Sequence, residues 1–243
     1  MAKNSLVLLL GGSGHRFGSE IPKQFLSVSQ KNQQKISSLS GVSLPSDTVL
    51  FSATAFVLGR TLKIQEMVLV VEPDFQEHDI VKTQVANLKN WLPSIEILIT
   101  TGGETRHQSF CNGIEMISGK NEAVLVQDSN RPFMEEDFLN RIQENLKRLS
   151  IDEPCFIPVL PAIDSLVVTV ESRIESYLPR ERIQHIQTPQ LLFLPAAKKA
   201  IAGRNSRDYS DEGSLMLSAG MKVLPFQGSS LNVKVTYPAD WEK

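Results

Sequence analysis

Strand-like and helix-like segments alternate along this 243-residue chain, and few folds accommodate that order. Runs rich in aliphatic and β-branched residues predict strands at residues 6–10, 67–71, 95–100, 123–127, 156–160 and 166–170. Segments with helical periodicity lie at residues 75–91, 106–117 and 135–149. This order predicts an α/β fold with a doubly wound, mostly parallel, Rossmann-like sheet, which binds ligands at the carboxyl ends of its strands. We therefore expect chemistry in the loops after Leu10, Thr100 and Gln127.

The bulk properties fit an ordinary globular domain and exclude several classes of protein. The mass of 27.0 kDa and the hydrophobic fraction of 41% suit a single domain over residues 1–243. The net charge of -2 argues against nonspecific nucleic-acid binding but leaves room for a local cationic pocket. The apolar run at 6–10 is too short for a membrane span or a signal peptide. Cys111 and Cys155 lack zinc-site spacing and form no disulfide framework, which favours a cytoplasmic protein.

A polar stretch at residues 29–47 follows the first motif-rich part of the chain. It is rich in Ser, Gln and Lys, and Pro45 lies near its end. We predict a flexible surface insertion there, since connecting segments of this composition run over protein surfaces. The stretch does not mark a domain boundary.

A glycine-rich loop directly follows the first predicted strand. Leu10 precedes Gly11, Gly12 and Gly14, where a backbone without side chains can approach a phosphate and offer its N–H groups. The loop is not a P-loop, because no Gly-Lys-Ser/Thr follows, and Phe17 occupies the third glycine position of the dinucleotide fingerprint. The pattern therefore predicts a nucleotide site of another kind.

Two cationic side chains accompany this loop. Arg16 lies inside it, and Lys23 follows Pro22, which stiffens the backbone. Fixed cations beside an anion cradle suit nucleotidyl transfer, in which negative charge must be stabilised on the transferring phosphorus and on the departing pyrophosphate. We interpret Arg16 and Lys23 as catalytic; the alternative is that both are solvated surface charges.

Several motifs resemble, in order, those of a cytidylyltransferase family among the glycosyltransferase-A-like nucleotidyltransferases, which includes methylerythritol phosphate and ribitol phosphate enzymes. The resemblance begins with the glycine loop at 11–18 and the run at 22–26. It continues at residues 102–109, 128–133, 187–190 and 232–236. Nearly the whole chain is covered, apart from residues 29–47.

The resemblance implies that CTP and Mg²⁺ bind at these motifs. Asp128 would contact the metal, in keeping with the preference of Mg²⁺ for oxygen ligands. The implied nucleotide-binding residues are Leu10, Gly11, Gly12, Gly14, Lys23, Gly103, Glu104, Arg106, Ser109 and Asp128. The family usually has a histidine before this aspartate and two small residues after it, where this chain has Gln127, Ser129 and Asn130.

The resemblance also implies a phosphorylated polyol as the second substrate. Its implied binding residues are Arg131, Ser165, Arg180, Thr188, Ser210 and Lys234. Arg180 and Lys234 would clamp its phosphate and complete the catalytic set with Arg16 and Lys23. Lys234 lies in an alternating apolar and polar run that predicts a strand. A β-arm near residues 165–180 would join two copies of the chain as a homodimer.

Three functions remain open from the sequence. The first is transfer of CMP from CTP to 2-C-methyl-D-erythritol 4-phosphate, a step of non-mevalonate isoprenoid synthesis. The second uses ribitol 5-phosphate or another polyol phosphate, because residues 164–167 lack a lysine common in the methylerythritol phosphate enzymes. The third is a catalytically silent nucleotide-binding or interaction protein, suggested by Gln127, Ser129, Asn130 and the insertion at residues 29–47. None of the three involves nucleic acid or a membrane.

Overall fold

Helices and strands alternate through the computed structural model, which describes residues 4–11, 21–203 and 208–241. Single 3-10 turns lie at Lys23–Phe25, Pro73–Phe75, Arg180–Arg182 and Pro238–Trp241. The regular elements are β1 (Asn4–Leu9), α1 (Gln30–Ser40), α2 (Leu50–Thr61), β2 (Ile64–Val71), α3 (Asp79–Trp91), β3 (Glu96–Thr101), α4 (Arg106–Met116), β4 (Ala123–Asp128), α5 (Glu136–Leu146), β5 (Cys155–Pro161), β6 (Leu166–Val170), β7 (Arg173–Leu178), β8 (Gln184–Ile186), β9 (Gln190–Phe193), α6 (Leu194–Ala202), α7 (Glu212–Ser218) and β10 (Leu224–Gln227).

The main sheet has the order β10-β5-β9-β4-β1-β2-β3, with β8 beside β5. Neighbouring strands from β4 to β3 run parallel, as do β5 and β10. Strand β9 is antiparallel to both of its neighbours, and β6 and β7 form a separate hairpin. The prediction of a doubly wound, mostly parallel sheet is therefore confirmed.

Side chains of the central strands alternate between two apolar layers. In β1, Leu6 and Leu8 face a core shared with α2, α3 and α5, while Val7 and Leu9 face a second core shared with α4, α6 and α7. Burial on both faces explains why β1 is continuously apolar from Leu6 onward. The carboxyl ends of β1 and β4 meet in register, with Leu9 opposite Asp128, so the loops that follow them lie together.

Residues 29–47, predicted as a flexible surface insertion, contain a regular helix, because α1 occupies residues 30–40. Ser29 caps its start by accepting a hydrogen bond from the Asn32 amide, and Gly41 ends it with a φ of 70°. Ile36 is fully buried in the core. The two caps and this buried side chain favour a helix, and a polar composition does not prevent one, because Gln and Lys have good helix propensity. No helix in the described ranges is both long and apolar enough to cross a membrane.

The buried carboxylate of Glu66 connects the amino-terminal ends of β1, β2 and β4 through hydrogen bonds. Glu66 accepts hydrogen bonds from the Ser5 hydroxyl at 3.0 Å, the Ser118 amide at 3.0 Å and the Asn121 side-chain amide at 2.9 Å. Glu66 is buried, and so are Ser5 and Asn121, whose donors depend on it as their acceptor.

Replacing Glu66 with alanine should lower the free energy of unfolding by about 3 kcal/mol, because buried donors lose their acceptor. Urea unfolding measures this change. Gln65→Ala, at the exposed neighbouring position of β2, is the control and should cost less than about 1 kcal/mol. Equal effects of the two substitutions would contradict the role given to Glu66.

Candidate active site

An open cavity of about 470 Å³ lies at the carboxyl edge of the sheet. It lies where the strand-to-helix connections after β1, β2, β3 and β4 converge, the usual position of ligands in open α/β sheets. Its walls consist of Leu9, Gly11, Lys23, Glu72, Gly103, Glu104, Thr105, Arg106, Ser109, Asp128, Asn130 and Lys234. Most of the sequence-predicted nucleotide-binding residues are thus brought together. Gly12, Gly14 and Arg16 lie outside the described residues, and Leu10 is buried beneath the wall.

Side chains of α4 fix the turn after β3. The Gly103 amide donates to Ser109 Oγ at 3.1 Å, and that hydroxyl donates to the Thr105 carbonyl at 3.0 Å. The Glu104 amide donates to Gln108 Oε1 at 2.8 Å. A side chain at Gly103 would lie 2.3 Å from Gln108 Cβ, so the close approach of the two segments requires glycine. The turn therefore presents a fixed backbone edge to the cavity.

Asp128 lies among three cationic side chains. Its Oδ2 is 2.8 Å from Lys234 Nζ and 3.6 Å from Arg131 Nε, and its Oδ1 is 3.4 Å from Arg106 Nη2. The Asp128 amide donates to Thr188 Oγ1 at 3.2 Å, which fixes the end of β4. Burial alone would raise the pKa of Asp128, but attraction to Lys234, and then to the two arginines, lowers that pKa well below its ordinary value. The carboxylate is ionised at neutral pH.

Arg106 joins Asp128 to a second carboxylate that sequence reasoning missed. Its Nη1 donates to Glu212 Oε1 at 2.6 Å, and its Nη2 donates to Glu212 Oε2 at 3.2 Å. Burial lowers the pKa of Arg106, yet the attraction of Glu212 and Asp128 outweighs burial and raises it above the ordinary value. Glu212 belongs to none of the recognised motifs, and the only signal for it was an acidic residue at the start of a helix.

Hydrogen bonds to Asn130 and Arg131, and not a strand, hold the segment that places Lys234 beside Asp128. The predicted strand around Lys234 is wrong, because residues 232–236 run in irregular conformation. Val235 donates its amide to the Asn130 carbonyl at 2.9 Å, and the Asn130 side chain donates to the Val235 carbonyl at 2.8 Å. Arg131 Nη1 donates to the Asn232 carbonyl at 2.8 Å. The segment that carries Lys234 is thereby tied to the loop after β4.

The three residues that depart from the family motif, Gln127, Ser129 and Asn130, lie at different distances from the cavity. Gln127 is fully buried and donates weakly to the Arg131 carbonyl at 3.4 Å, so it lies behind Asp128. Ser129 is buried, and its carbonyl accepts from Thr54 Oγ1 at 2.8 Å. Asn130 alone of these three lines the cavity. The altered residues therefore support the loop more than they fill the site.

The residues predicted to bind the second substrate are only partly brought together. Arg131, Thr188 and Lys234 surround Asp128. Ser165 and Arg180 are exposed beside the β6–β7 hairpin and do not line the cavity of their own chain, and Arg180 Nη1 donates to the Ile163 carbonyl at 2.9 Å. Ser210 is exposed just before α7 and does not line the cavity either.

The donor set fits a Mg²⁺ ion that arrives with a nucleotide. Within the described ranges there is no group of three or more His, Cys, Asp or Glu side chains that could hold a metal ion by themselves. Mg²⁺ in nucleotide enzymes is commonly held by one or two carboxylates together with substrate phosphates. Asp128, at the wall of an open cavity, supplies such a carboxylate.

The fold and the site together define an enzyme of the nucleotidyltransferase class. A mostly parallel sheet presents a carboxylate among three cations, beside a rigid turn and an open cavity. The chain belongs to the 2-C-methyl-D-erythritol 4-phosphate cytidylyltransferase family, because a family model of that description matches residues 5–243.

Curated relatives match over nearly their whole length. The 2-C-methyl-D-erythritol 4-phosphate cytidylyltransferase of Carboxydothermus hydrogenoformans is 29% identical over 245 residues, which cover 100% of this chain and 94% of that protein. The protein of the same name from Thermotoga neapolitana is 29% identical over 240 residues, which cover 98% and 94% of the two chains.

Two solved structures have the same fold. The 4-diphosphocytidyl-2C-methyl-D-erythritol synthase of Anaerococcus prevotii matches with a TM-score of 0.72 at 21% identity, covering 99% of this chain and 95% of that one. The 2-C-methyl-D-erythritol 4-phosphate cytidylyltransferase of Thermus thermophilus matches with a TM-score of 0.68 at 24% identity, covering 97% and 94%. At these identities the likeness establishes the shared fold.

Proposed function

We propose that this chain transfers CMP from CTP to 2-C-methyl-D-erythritol 4-phosphate, giving 4-diphosphocytidyl-2-C-methyl-D-erythritol and pyrophosphate. The observation that carries the proposal is the convergence of Lys234, Arg106 and Arg131 on Asp128 at the wall of the cavity. Lys23 lines the same cavity. Such an arrangement suits a reaction in which two highly anionic substrates meet.

The reaction needs placement and charge neutralisation more than proton transfer. An oxygen of the acceptor phosphate attacks the α-phosphorus of CTP, and a new P–O bond forms. The bond from that phosphorus to the bridging oxygen of the β-phosphate breaks, and its electron pair leaves with pyrophosphate. Lys23 and Arg16 stabilise charge on the phosphates, and Lys234 orients the acceptor phosphate. A phosphate monoester is already anionic, so no general base is required.

The turn after β3 is the proposed site for the cytosine ring. Gly103 and Glu104 present backbone held by Ser109 and Gln108, and a rigid edge of this kind can favour a pyrimidine over a larger purine. Asp128 would hold Mg²⁺, which supplies neutralising charge for the triphosphate.

The exposed hairpin supports a homodimer as part of the proposal. The hairpin carries Ile174, which is 59% exposed, and Tyr177, which is 71% exposed, and Ile163 just before it is 82% exposed. Exposed apolar side chains in one region mark an interaction surface. A partner chain on this surface would bring Ser165 and Arg180 to the neighbouring active site. We place the reaction in the cytoplasm, since both substrates are highly charged and do not cross lipid bilayers.

The experiment compares kcat/KM for pyrophosphate release with CTP, Mg²⁺ and either 2-C-methyl-D-erythritol 4-phosphate or ribitol 5-phosphate at equal concentrations. The proposal predicts at least a tenfold preference for methylerythritol phosphate, with UTP and ATP as poor replacements for CTP. A preference for ribitol 5-phosphate would keep the chemistry but refute the acceptor. CTP binding without pyrophosphate release from either acceptor would favour a catalytically silent protein.

A further inference from the structure

Glu212 is a buried carboxylate that the proposed reaction does not use directly. It is 1% exposed and does not line the cavity, which it reaches only through Arg106. A charge in such a place is costly unless it is paired and hydrogen-bonded. Its two hydrogen bonds to Arg106 supply that pairing, at 2.6 and 3.2 Å. The pair therefore couples a buried anchor to a side chain in the cavity wall.

The start of α7 is rigidly attached to the sheet. Asp211 caps the helix by accepting from the Ser214 amide at 2.9 Å. Gln190 of β9 accepts from the Gly213 amide at 2.8 Å and donates to Asp211 Oδ2 at 2.9 Å. A side chain on Gly213 would lie 2.1 Å from Ile157 Cδ1, so the helix packs directly on β5. The position of the Glu212 carboxylate is consequently set by the core of the protein.

The charge around Asp128 requires such an anchor. Arg106, Arg131 and Lys234 present three positive charges to one carboxylate. A divalent cation approaching Asp128 meets repulsion from all three. Glu212 engages both terminal nitrogens of Arg106, which leaves Asp128 a long contact of 3.4 Å to that guanidinium. Glu212 therefore offsets part of the positive charge around Asp128 and holds Arg106 away from the Asp128 carboxylate.

We propose that Glu212 is a positioning residue: by holding Arg106, it keeps Asp128 available to the divalent cation that accompanies the nucleotide. This inference rests on the proposed function, because it concerns the cation site of that reaction. Outer residues that orient metal ligands commonly change metal affinity by about 10- to 100-fold when they are replaced.

Glu212→Gln tests the inference because it keeps one oxygen acceptor for Arg106 and removes the charge. Arg106 should then pair more closely with Asp128. We expect the dissociation constant for Mn²⁺, measured by electron paramagnetic resonance in the presence of CTP, to rise by about tenfold. The Mg²⁺ concentration for half-maximal pyrophosphate release should rise in parallel. Glu115→Gln, at an exposed position of α4, is the matched control and should change neither value.

A double variant separates positioning from a structural role. Arg106 lines the cavity and belongs to the implied nucleotide-binding residues, so the reference for the double variant is Arg106→Gln alone. If Glu212 acts through Arg106, adding Glu212→Gln to Arg106→Gln should change the Mn²⁺ dissociation constant by less than about twofold. A contribution of Glu212 that does not pass through Arg106 would persist in the Arg106→Gln background. The double variant also keeps the test decisive where the single one fails to fold, because a neutral pair leaves no unpaired buried charge.

The outcomes distinguish this inference from the proposed function. Mn²⁺ affinity that is unchanged in Glu212→Gln, while wild type binds Mn²⁺ with CTP and releases pyrophosphate, would overturn the inference alone. A further loss of affinity when Glu212→Gln is added to Arg106→Gln would also overturn it. Wild-type protein that binds neither CTP nor Mn²⁺ would contradict the proposed function itself.

Discussion

Replacing Lys23 with alanine should lower kcat/KM for pyrophosphate release by about 100- to 1,000-fold, the usual cost of removing one group that stabilises transition-state charge. Lys23 lines the same cavity as Gly11 and Asp128. Negative charge develops on the pyrophosphate leaving group, and a cation in this wall stabilises that charge.

The fold should survive this substitution. The turn that carries Lys23 is held by its neighbours, because Gln24 donates to the Leu10 carbonyl at 2.6 Å. Phe25 is buried and stacks on Phe75 with ring centroids 4.9 Å apart. The midpoint of thermal unfolding should therefore stay within about 2 °C of the wild-type value.

Two further variants make the Lys23 prediction specific. Lys23→Met keeps most of the side-chain volume without the charge and should be as inactive as the alanine variant. Lys89→Ala, at an exposed position of α3, should leave kcat/KM unchanged. Activity of Lys23→Ala above about a third of wild type would refute the catalytic assignment.

Replacing Asp128 with asparagine should have the second large effect, on both activity and stability. The substitution keeps the shape but removes the charge that faces Lys234, Arg106 and Arg131. We expect kcat/KM to fall by at least about 100-fold, and the free energy of unfolding at pH 7 to fall by about 3 kcal/mol. Asp152→Asn, at an exposed position before β5, is the control and should change neither.

The stability effect has a predicted pH dependence. The pKa of Asp128 is lowered on folding, because its cationic neighbours outweigh the effect of burial. Its contribution to stability is therefore fully present above the unfolded-state pKa of about 4 and is lost as pH falls through the lower folded-state value. Wild type and Asp128→Asn should converge in chemical denaturation below about pH 4. A constant difference between pH 7 and pH 2 would contradict the ionic role.

The central strands could be predicted from the sequence because buried strands need apolar residues, which are visible in the sequence. Strands β1, β2 and β4 lie between two apolar layers, so both faces require aliphatic residues, which form the apolar runs at residues 6–9, 67–71 and 123–126. The location of the motifs after these strands could also be predicted, because ligands bind at the carboxyl edge of such sheets. Lys23, Gly103, Arg106, Ser109 and Asp128 therefore meet in one cavity, as the resemblance implied.

Features that depend on tertiary contacts could not be predicted from the sequence. Helix α1 depends on its caps at Ser29 and Gly41 and on the burial of Ile36, which its polar composition does not reveal. Lys234 contacts Asp128 from an irregular segment that Asn130 holds in place. An irregular segment has no hydrophobic periodicity, so its position could not be predicted. Glu212 gains its importance only from Arg106, a residue 106 positions away in the chain.

The measurement that tests the central claim most directly is identification of the product formed from CTP and 2-C-methyl-D-erythritol 4-phosphate. Purified protein with Mg²⁺ should give, by mass spectrometry and phosphorus NMR, a cytidine diphosphate ester of methylerythritol and an equal amount of pyrophosphate. The Lys23→Ala variant should give neither at a comparable rate. Pyrophosphate without the diphosphate ester, or no consumption of CTP by wild type, would contradict the account.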